Sequence, residues 1–338
     1  MFNRDNFHIL SRLTFGRVWN LFLLKTSFFI GKYFKKPMIW GTPYAVSIEP
    51  TTACNLGCPE CPSGLKQFTR PTGKLKSNRN AEMLDELGKN LFYINYYFQG
   101  EPFLNPDFLE FIKEANKRKI YTATSTNAHF IKPDTAEEIV KSGLSRLIIS
   151  IDGITQQTYE DYRVHGILNK VLEGTKEMVA AKKRLNAKTP HLIWQFLVTA
   201  KNEHEIDDLM TMGKSFGVDE VRLKSIQVYD FAHGNPLIPK NEKYSRYKRL
   251  SNGKYKMKAG LGNHCWRMWS STVLTWDGIV VPCCFDKDAK HQLGKLDESP
   301  FKDIWKSDKY RSMRRNILTS RQDIDICSNC SEGSKVWV

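Results

Sequence analysis

The stretch Glu49-Pro50-Thr51-Thr52-Ala53-Cys54-Asn55-Leu56-Gly57-Cys58-Pro59-Glu60-Cys61 follows a short apolar run, Tyr44 to Ile48, that reads as a strand. Its cysteines are spaced C-x3-C-x2-C. Thiolates so placed on one loop can take three corners of a cubic iron-sulfur cluster and leave the fourth iron open, whereas most electron-transfer clusters use four cysteines. An open metal position separates a catalytic centre from a structural one. The plainer alternatives are a zinc knuckle short of its fourth ligand, or three unrelated thiols.

Outward from this loop, short apolar runs alternate with longer helical stretches. Strands are expected at Tyr44 to Ile48, Phe92 to Phe98, Tyr121 to Ser125, Leu147 to Ile151, Leu192 to Val198 and Val218 to Leu223. Helices are expected at Ala81 to Asn90, Pro106 to Arg118, Pro133 to Ser142, Leu168 to Leu185 and Glu203 to Phe216. Alternation of this kind implies β/α units and a parallel sheet, here six units in a partly closed barrel. Chemistry in such barrels collects at the carboxyl ends of the strands. Gly234, Pro236 and Pro239 then break the pattern, so 231–258 reads as a linker. Beyond it, Ser271 to Trp276 and Ile279 to Val281 flank an Asp277-Gly278 turn, with a helix near Pro300 to Asn316. The fold class is therefore α/β: a partial (β/α)6 barrel with a small C-terminal cysteine-rich α+β extension and an N-terminal amphipathic helix. The expected domains are 1–40, 41–230, 231–258 and 259–338.

A chain of 338 residues, 41% hydrophobic and 26% charged, can bury a real core, which excludes a single tiny module and wholesale disorder. Its 51 Lys and Arg against 36 Asp and Glu leave a net charge of +15 and favour anionic partners. The eight cysteines are too sparse for a disulfide scaffold; unpaired metal-binding thiols suit a reducing compartment, the cytoplasm. Residues 1–40 mix Arg4, Arg12, Arg17, Lys25, Lys32, Lys35 and Lys36 with Trp19, Phe22, Phe28 and Phe29, and hold one acid, Asp5. Such a segment suits a helix lying in a membrane interface, which would place the protein peripherally on the inner membrane face; packing on its own domain is the alternative.

Further along stand Tyr97-Phe98-Gln99-Gly100-Glu101-Pro102, Ser125-Thr126-Asn127, and Ser150-Ile151-Asp152-Gly153 followed by Tyr162-Arg163. With the cysteine loop, and in this order, they resemble the motifs of the radical S-adenosylmethionine (SAM) superfamily over residues 44 to about 230. The resemblance implies that Cys54, Cys58 and Cys61 hold a [4Fe-4S] cluster that chelates SAM, and that a 5′-deoxyadenosyl radical removes hydrogen from the substrate. It implies cofactor contacts for Gln99, Gly100, Glu101 and Pro102 at the SAM amino group. Ser125 and Asn127 would lie near the cofactor, Ser150 near its ribose or carboxylate, Asp152 of the same motif would be a further cofactor-binding residue, and Arg163 would pair with the carboxylate. Gln99 stands where the family has a glycine.

A second set, Cys265, Cys283, Cys327 and Cys330, offers four thiolates, enough for a fully ligated cluster or for closed tetrahedral zinc. Trp276 to Cys284, Gly294, Ile304-Trp305 and the terminal pair resemble the SPASM/twitch extension found after many radical SAM barrels. The short set is like that of 2-deoxy-scyllo-inosamine dehydrogenase, an alcohol-oxidising member. That likeness implies a second, auxiliary [4Fe-4S] cluster able to accept an electron. Cys284 is left over, as a buried apolar residue, a hydrogen donor or an alternative ligand. The substrate expected is a carbohydrate or lipid-linked intermediate, with peptide or protein side chains as the alternative and an electron donor such as flavodoxin or ferredoxin. A non-enzymatic metal protein binding nucleic acid is the remaining class, though basic residues form no recognisable reading element.

Overall fold

A computed structural model describes residues 4–258 and 260–332. Residues 1–3, at the start of the expected N-terminal segment, and 259 and 333–338, in the expected C-terminal unit, lie outside the described residues.

Where one amphipathic helix was expected there are two, α1 (Arg4–Leu10) and α2 (Phe15–Phe34). Thr14 makes the break: it is extended, and its side chain accepts from the Arg17 amide at 3.4 Å as an N-cap. Then come β1 (Ala45–Ile48), α3 (Pro62–Leu65), α4 (Ser77–Leu87), β2 (Tyr93–Asn95), α5 (Phe108–Lys117), β3 (Tyr121–Thr126) and α6 (Pro133–Lys141). They are followed by β4 (Arg146–Ser150), α7 (Gln156–Glu160), α8 (Leu168–Arg184), β5 (His191–Val198), α9 (Ile206–Phe216) and β6 (Glu220–Ser225). These strands pair in parallel in chain order, the arrangement expected of a partial barrel. Helices cover parallel sheets, so both faces are buried; β3 is buried at every residue although four of its six residues are Thr or Ser. β2 ends before its apolar run does, because the Tyr97 amide turns back onto the Asn95 carbonyl at 2.8 Å.

The segment expected as a linker contains an antiparallel hairpin, β7 (Tyr247–Arg249) and β8 (Tyr255–Met257). Tyr247 is buried, stacks on Phe231 with ring centroids 4.9 Å apart, and donates to Asn329 Oδ1 at 3.0 Å. Together with Ile226, Val228 and Ile238 it packs in one cluster with Leu56 and Cys58 of the cysteine loop. The segment is a cover, not a spacer.

The C-terminal unit holds α10 (Arg267–Ser270), β9 (Ser271–Leu274), β10 (Ile279–Val281), β11 (Gly294–Lys295), α11 (Phe301–Lys306), α12 (Asp308–Ser320) and α13 (Asp325–Ser328). β9 and β10 form the expected hairpin, with Gly278 at φ +84° in its turn. β9 also pairs in parallel with β1, so the unit continues the barrel sheet in the order β11-β10-β9-β1 through β6. The single helix expected near 300–316 is two, since Ser307 is extended and its Oγ caps α12 by accepting from the Tyr310 amide at 3.3 Å.

One core cluster runs through both halves and includes Trp194, Trp269 and Trp305, all fully buried. The N-terminal helices brace the amino ends of the strands. Asp5 accepts from Tyr121 and from Arg146, at the starts of β3 and β4. Arg17 donates to the carbonyls of Lys89 at 3.2 Å and Lys119 at 2.8 Å, just ahead of β2 and β3. Further along α2, Phe28 meets Trp266 and Trp269 edge-on. α2 is thus a strap under barrel and C-terminal unit, on the side opposite the cysteine loop.

Candidate active site

The cysteine loop leaves the carboxyl end of β1 and runs into α3, with Cys61 as its N-terminal flanking residue. Glu49 anchors the loop's start through a buried two-pronged ion pair with Arg70, at 2.6 and 2.8 Å, and accepts from the Trp276 amide at 3.3 Å. Gly57 donates to the Val164 carbonyl at 2.9 Å, tying the loop to the segment that carries Arg163. Asn127 Nδ2 donates to Asn55 Oδ1 at 2.8 Å, tying it to the end of β3.

Gln99 to Pro102 press against this loop. The Gly100 amide donates to Ser63 Oγ at 2.9 Å and the Glu101 amide to the Ala53 carbonyl at 2.8 Å. Gly100 has φ +74°, and a Cβ there would collide with the Thr51 carbonyl and stand 2.8 Å from that of Ala53. Gly64 is under the same demand, with Cys58 N 2.6 Å from the place of its Cβ. Gln99 Oε1 is 3.9 Å from Cys61 Sγ, so the departure from glycine puts a side-chain carbonyl at the third cysteine. Pro102 opens a single 3-10 turn.

Glu101 is buried and accepts from Thr126 Oγ1 at 2.7 Å, the Asn127 amide at 2.8 Å and, more distantly, the Phe103 amide. Burial pushes its carboxyl up to about 7, against the pull of those hydrogen bonds. Ser125 and Ser150 stand with their hydroxyls 3.4 Å apart at the ends of β3 and β4. Asp152 accepts from the Leu197 amide at 2.7 Å and from Arg163 Nε at 2.5 Å, and Arg163 Nη1 reaches Cys58 Sγ at 3.8 Å. Every residue expected at the first site therefore lies at one end of the barrel.

Burial pushes the Cys54 thiol up to about 12 and raises that of Cys58, for which Arg163 pulls the other way. The second set shows the same pattern. Cys265, Cys283, Cys327 and Cys330 line one cavity with Met268, Met313 and Ile317, and burial raises all four thiols, Cys265 to about 11. Arg321, 2% exposed, donates to Cys330 Sγ at 3.5 Å and to the His264 carbonyl at 2.6 Å, while its Nε is buried without a hydrogen-bond partner. A coordinated metal deprotonates a thiol outright, so unpaired buried thiols facing an arginine fit a negatively charged metal-thiolate cluster. Among the described residues no three His, Cys, Asp or Glu converge tightly enough for a single ion; in a cubane each thiolate holds its own iron.

Cys284 does not line that cavity. Arg267 Nη1 lies 3.9 Å from its sulfur, and Tyr97, Lys224 and Lys287 are among its neighbours. Lys287 Nζ reaches Tyr229 Oη at 3.3 Å, and burial lowers the pKa of both lysines. Sequence reading missed this basic group. A lysine at the carboxyl end of β6 was the available signal for Lys224; Lys287, Arg70 and Arg321 carried none.

Residues 48–211 match the Radical SAM superfamily and residues 265–331 the SPASM iron-sulfur cluster-binding domain. The chain is a radical SAM superfamily enzyme with a C-terminal SPASM-type extension. Its radical SAM domain binds a 4Fe-4S cluster and SAM, and its SPASM domain is of the kind that binds auxiliary iron-sulfur clusters. The tungsten-containing aldehyde ferredoxin oxidoreductase cofactor-modifying protein of Pyrococcus furiosus is 24% identical over 311 residues, 84% of this chain and 86% of that one. PqqA peptide cyclase of Bradyrhizobium diazoefficiens is 26% identical over 196 residues, 58% of this chain and half of its own length. Several other curated relatives are likewise matched over about half their length. Among solved structures, BtrN in complex with AdoMet and 2-DOIA has a TM-score of 0.55 at 19% identity, covering 88% of this chain and 96% of that one. Streptococcus suis SuiB bound to precursor peptide SuiA has a TM-score of 0.63 at 15% identity, covering 88% and 72%.

Proposed function

We propose that Cys54, Cys58 and Cys61 hold the SAM-binding cluster, that Cys265, Cys283, Cys327 and Cys330 hold one auxiliary [4Fe-4S] cluster, and that the enzyme is an oxidoreductase acting on a carbohydrate or lipid-linked intermediate. The observation that carries this reading is the single cavity shared by all four cysteines of the second set. Four thiolates leave no iron open to substrate, which suits electron transfer. When bound, the cofactors supply a 5′-deoxyadenosyl radical that takes a hydrogen atom from the substrate, and a sink for the electron left behind as a proton passes to water.

The chain's own residues position the reactants. Gly100 and Glu101 hold the 99–102 loop against the cysteine loop, where its backbone can meet the SAM amino group. Arg163, steadied by Asp152, presents a guanidinium beside Cys58 for the SAM carboxylate, with Ser125 and Ser150 alongside. Lys224 and Lys287 favour a substrate bearing an anionic group, such as the phosphate of an activated or lipid-linked sugar. A flavodoxin or ferredoxin is the reductant this basic surface suits. A peptide substrate is the second reading, supported by the likeness to PqqA peptide cyclase.

Anaerobically reconstituted protein given SAM and dithionite should release 5′-deoxyadenosine, and a phosphorylated sugar substrate should lose two hydrogens. Iron-replete protein that leaves SAM intact would overturn the catalytic reading. A product of unchanged mass would overturn the oxidation, and turnover of a peptide in place of sugars would overturn the substrate.

A further inference from the structure

The outward face of α2 has the polarity of an inside. Phe15, Val18, Trp19, Phe22, Phe29 and Tyr33 recur along it at helical spacing and stay exposed, Phe15 at 88% and Tyr33 at 82%. The face turned to the protein is instead Arg17, Asn20, Leu24, Ser27, Phe28 and Gly31. A surface helix ordinarily does the reverse, and an apolar patch of this extent marks an interaction site.

What covers it is indicated by charge. Between Asp5 and Glu49 the sequence has no acid, and both of those are buried. Lys32, Lys35 and Lys36 are exposed at the end of the helix. Beside them α12 contributes Arg311 and Arg315, which with Lys35, Lys36 and Trp40 line an open pocket of about 550 Å³. Arg311 has one acidic neighbour, the fully exposed Asp308, at 3.6 Å. Aromatic side chains bordered by lysine and arginine are the signature of a helix lying in a bilayer interface. No helix among the described residues is long and apolar enough to cross a membrane.

We propose that this face docks on an anionic phospholipid surface, with Phe15, Trp19 and Phe22 entering the headgroup region and Lys35, Lys36, Arg311 and Arg315 meeting headgroup phosphates. Because α2 braces the amino ends of the strands, docking points the cysteine loop away from the bilayer, so of the substrates proposed above it favours a soluble activated sugar over one anchored in the lipid. The inference goes beyond the catalytic reading and does not depend on it.

The test is co-sedimentation of the reconstituted full chain with vesicles of phosphatidylcholine alone or mixed with phosphatidylglycerol. Binding to the anionic vesicles should be at least about ten-fold stronger, and F15S/W19S/F22S should lose that gain. K35Q/K36Q/R311Q/R315Q should lose the preference for anionic lipid while still cleaving SAM at the wild-type rate. Brominated lipid should quench the fluorescence lost in W19F. Iron content and circular dichroism identify a variant that fails to fold, in which case the quenching of wild-type Trp19 decides. Wild-type protein indifferent to anionic vesicles would overturn the proposal. So would a wild-type dimer that F15S/W19S/F22S converts to monomer, since a second copy would then be the occupant.

Discussion

Gly100 turns the chemistry of the first cysteine loop into a steric demand, because two carbonyls of that loop occupy the space a side chain would need. G100A should destabilise by at least about 2 kcal/mol and abolish 5′-deoxyadenosine formation, read by thermal melting and chromatography. Glu101 makes a separate prediction. Its folded pKa, near 7, lies above the unfolded value of 4.5, so the folded state binds a proton that the unfolded state has released between those limits. Its contribution is full below the unfolded pKa and is lost as pH rises through about 7, on the order of 3 kcal/mol in all. Wild type should therefore lose stability from pH 5 to 8 relative to E101Q in urea titrations; parallel pH profiles would contradict a buried protonated carboxyl. Gly100, Glu101 and the cysteines were legible because they stand in short motifs with fixed spacing. The Glu49–Arg70 pair was not, since its members lie on different loops and neither shows any periodicity.

Elements were legible wherever one physical pattern ruled. A parallel strand buried on both faces reads as an apolar run in β5 and as β-branched residues in β3, and the boundaries of both fell within a residue of expectation. Breaks set by one hydroxyl were missed, at Thr14 between α1 and α2 and at Ser307 between α11 and α12, because a serine or threonine in an otherwise helical pattern does not announce that it will itself be extended. The β7–β8 hairpin was missed for another reason: its strands are three residues each, and most of its outward positions are lysine or arginine. Its packing makes it a cover for the cysteine loop. Y247A should cost roughly 3 kcal/mol or more by leaving a cavity against Phe231 and Leu56. It should also hasten loss of cluster absorbance in air, and an unchanged decay would deny the hairpin that role.

At the scale of the molecule, β9 beside β1 makes the C-terminal unit part of the barrel sheet, and α2 ties the two from below. Nothing in a four-residue strand names its partner, so reading along the chain separates what the sheet unites. Trp305 sits in that shared core, with its indole donating to the Gly41 carbonyl at 2.9 Å. W305A should lower the melting temperature of the whole chain in one transition, whereas independent units would melt in two; the cost expected is about 3–5 kcal/mol. The central claim is that two sets of thiolates hold two clusters of different kinds, one with an iron open to SAM. Iron counting with Mössbauer spectroscopy tests it most directly. Wild type should hold about eight irons and C54A/C58A/C61A about four, with only the former showing an iron whose spectrum changes when SAM is added. Equal iron in the two proteins, or a wild-type spectrum that SAM leaves untouched, would contradict the account.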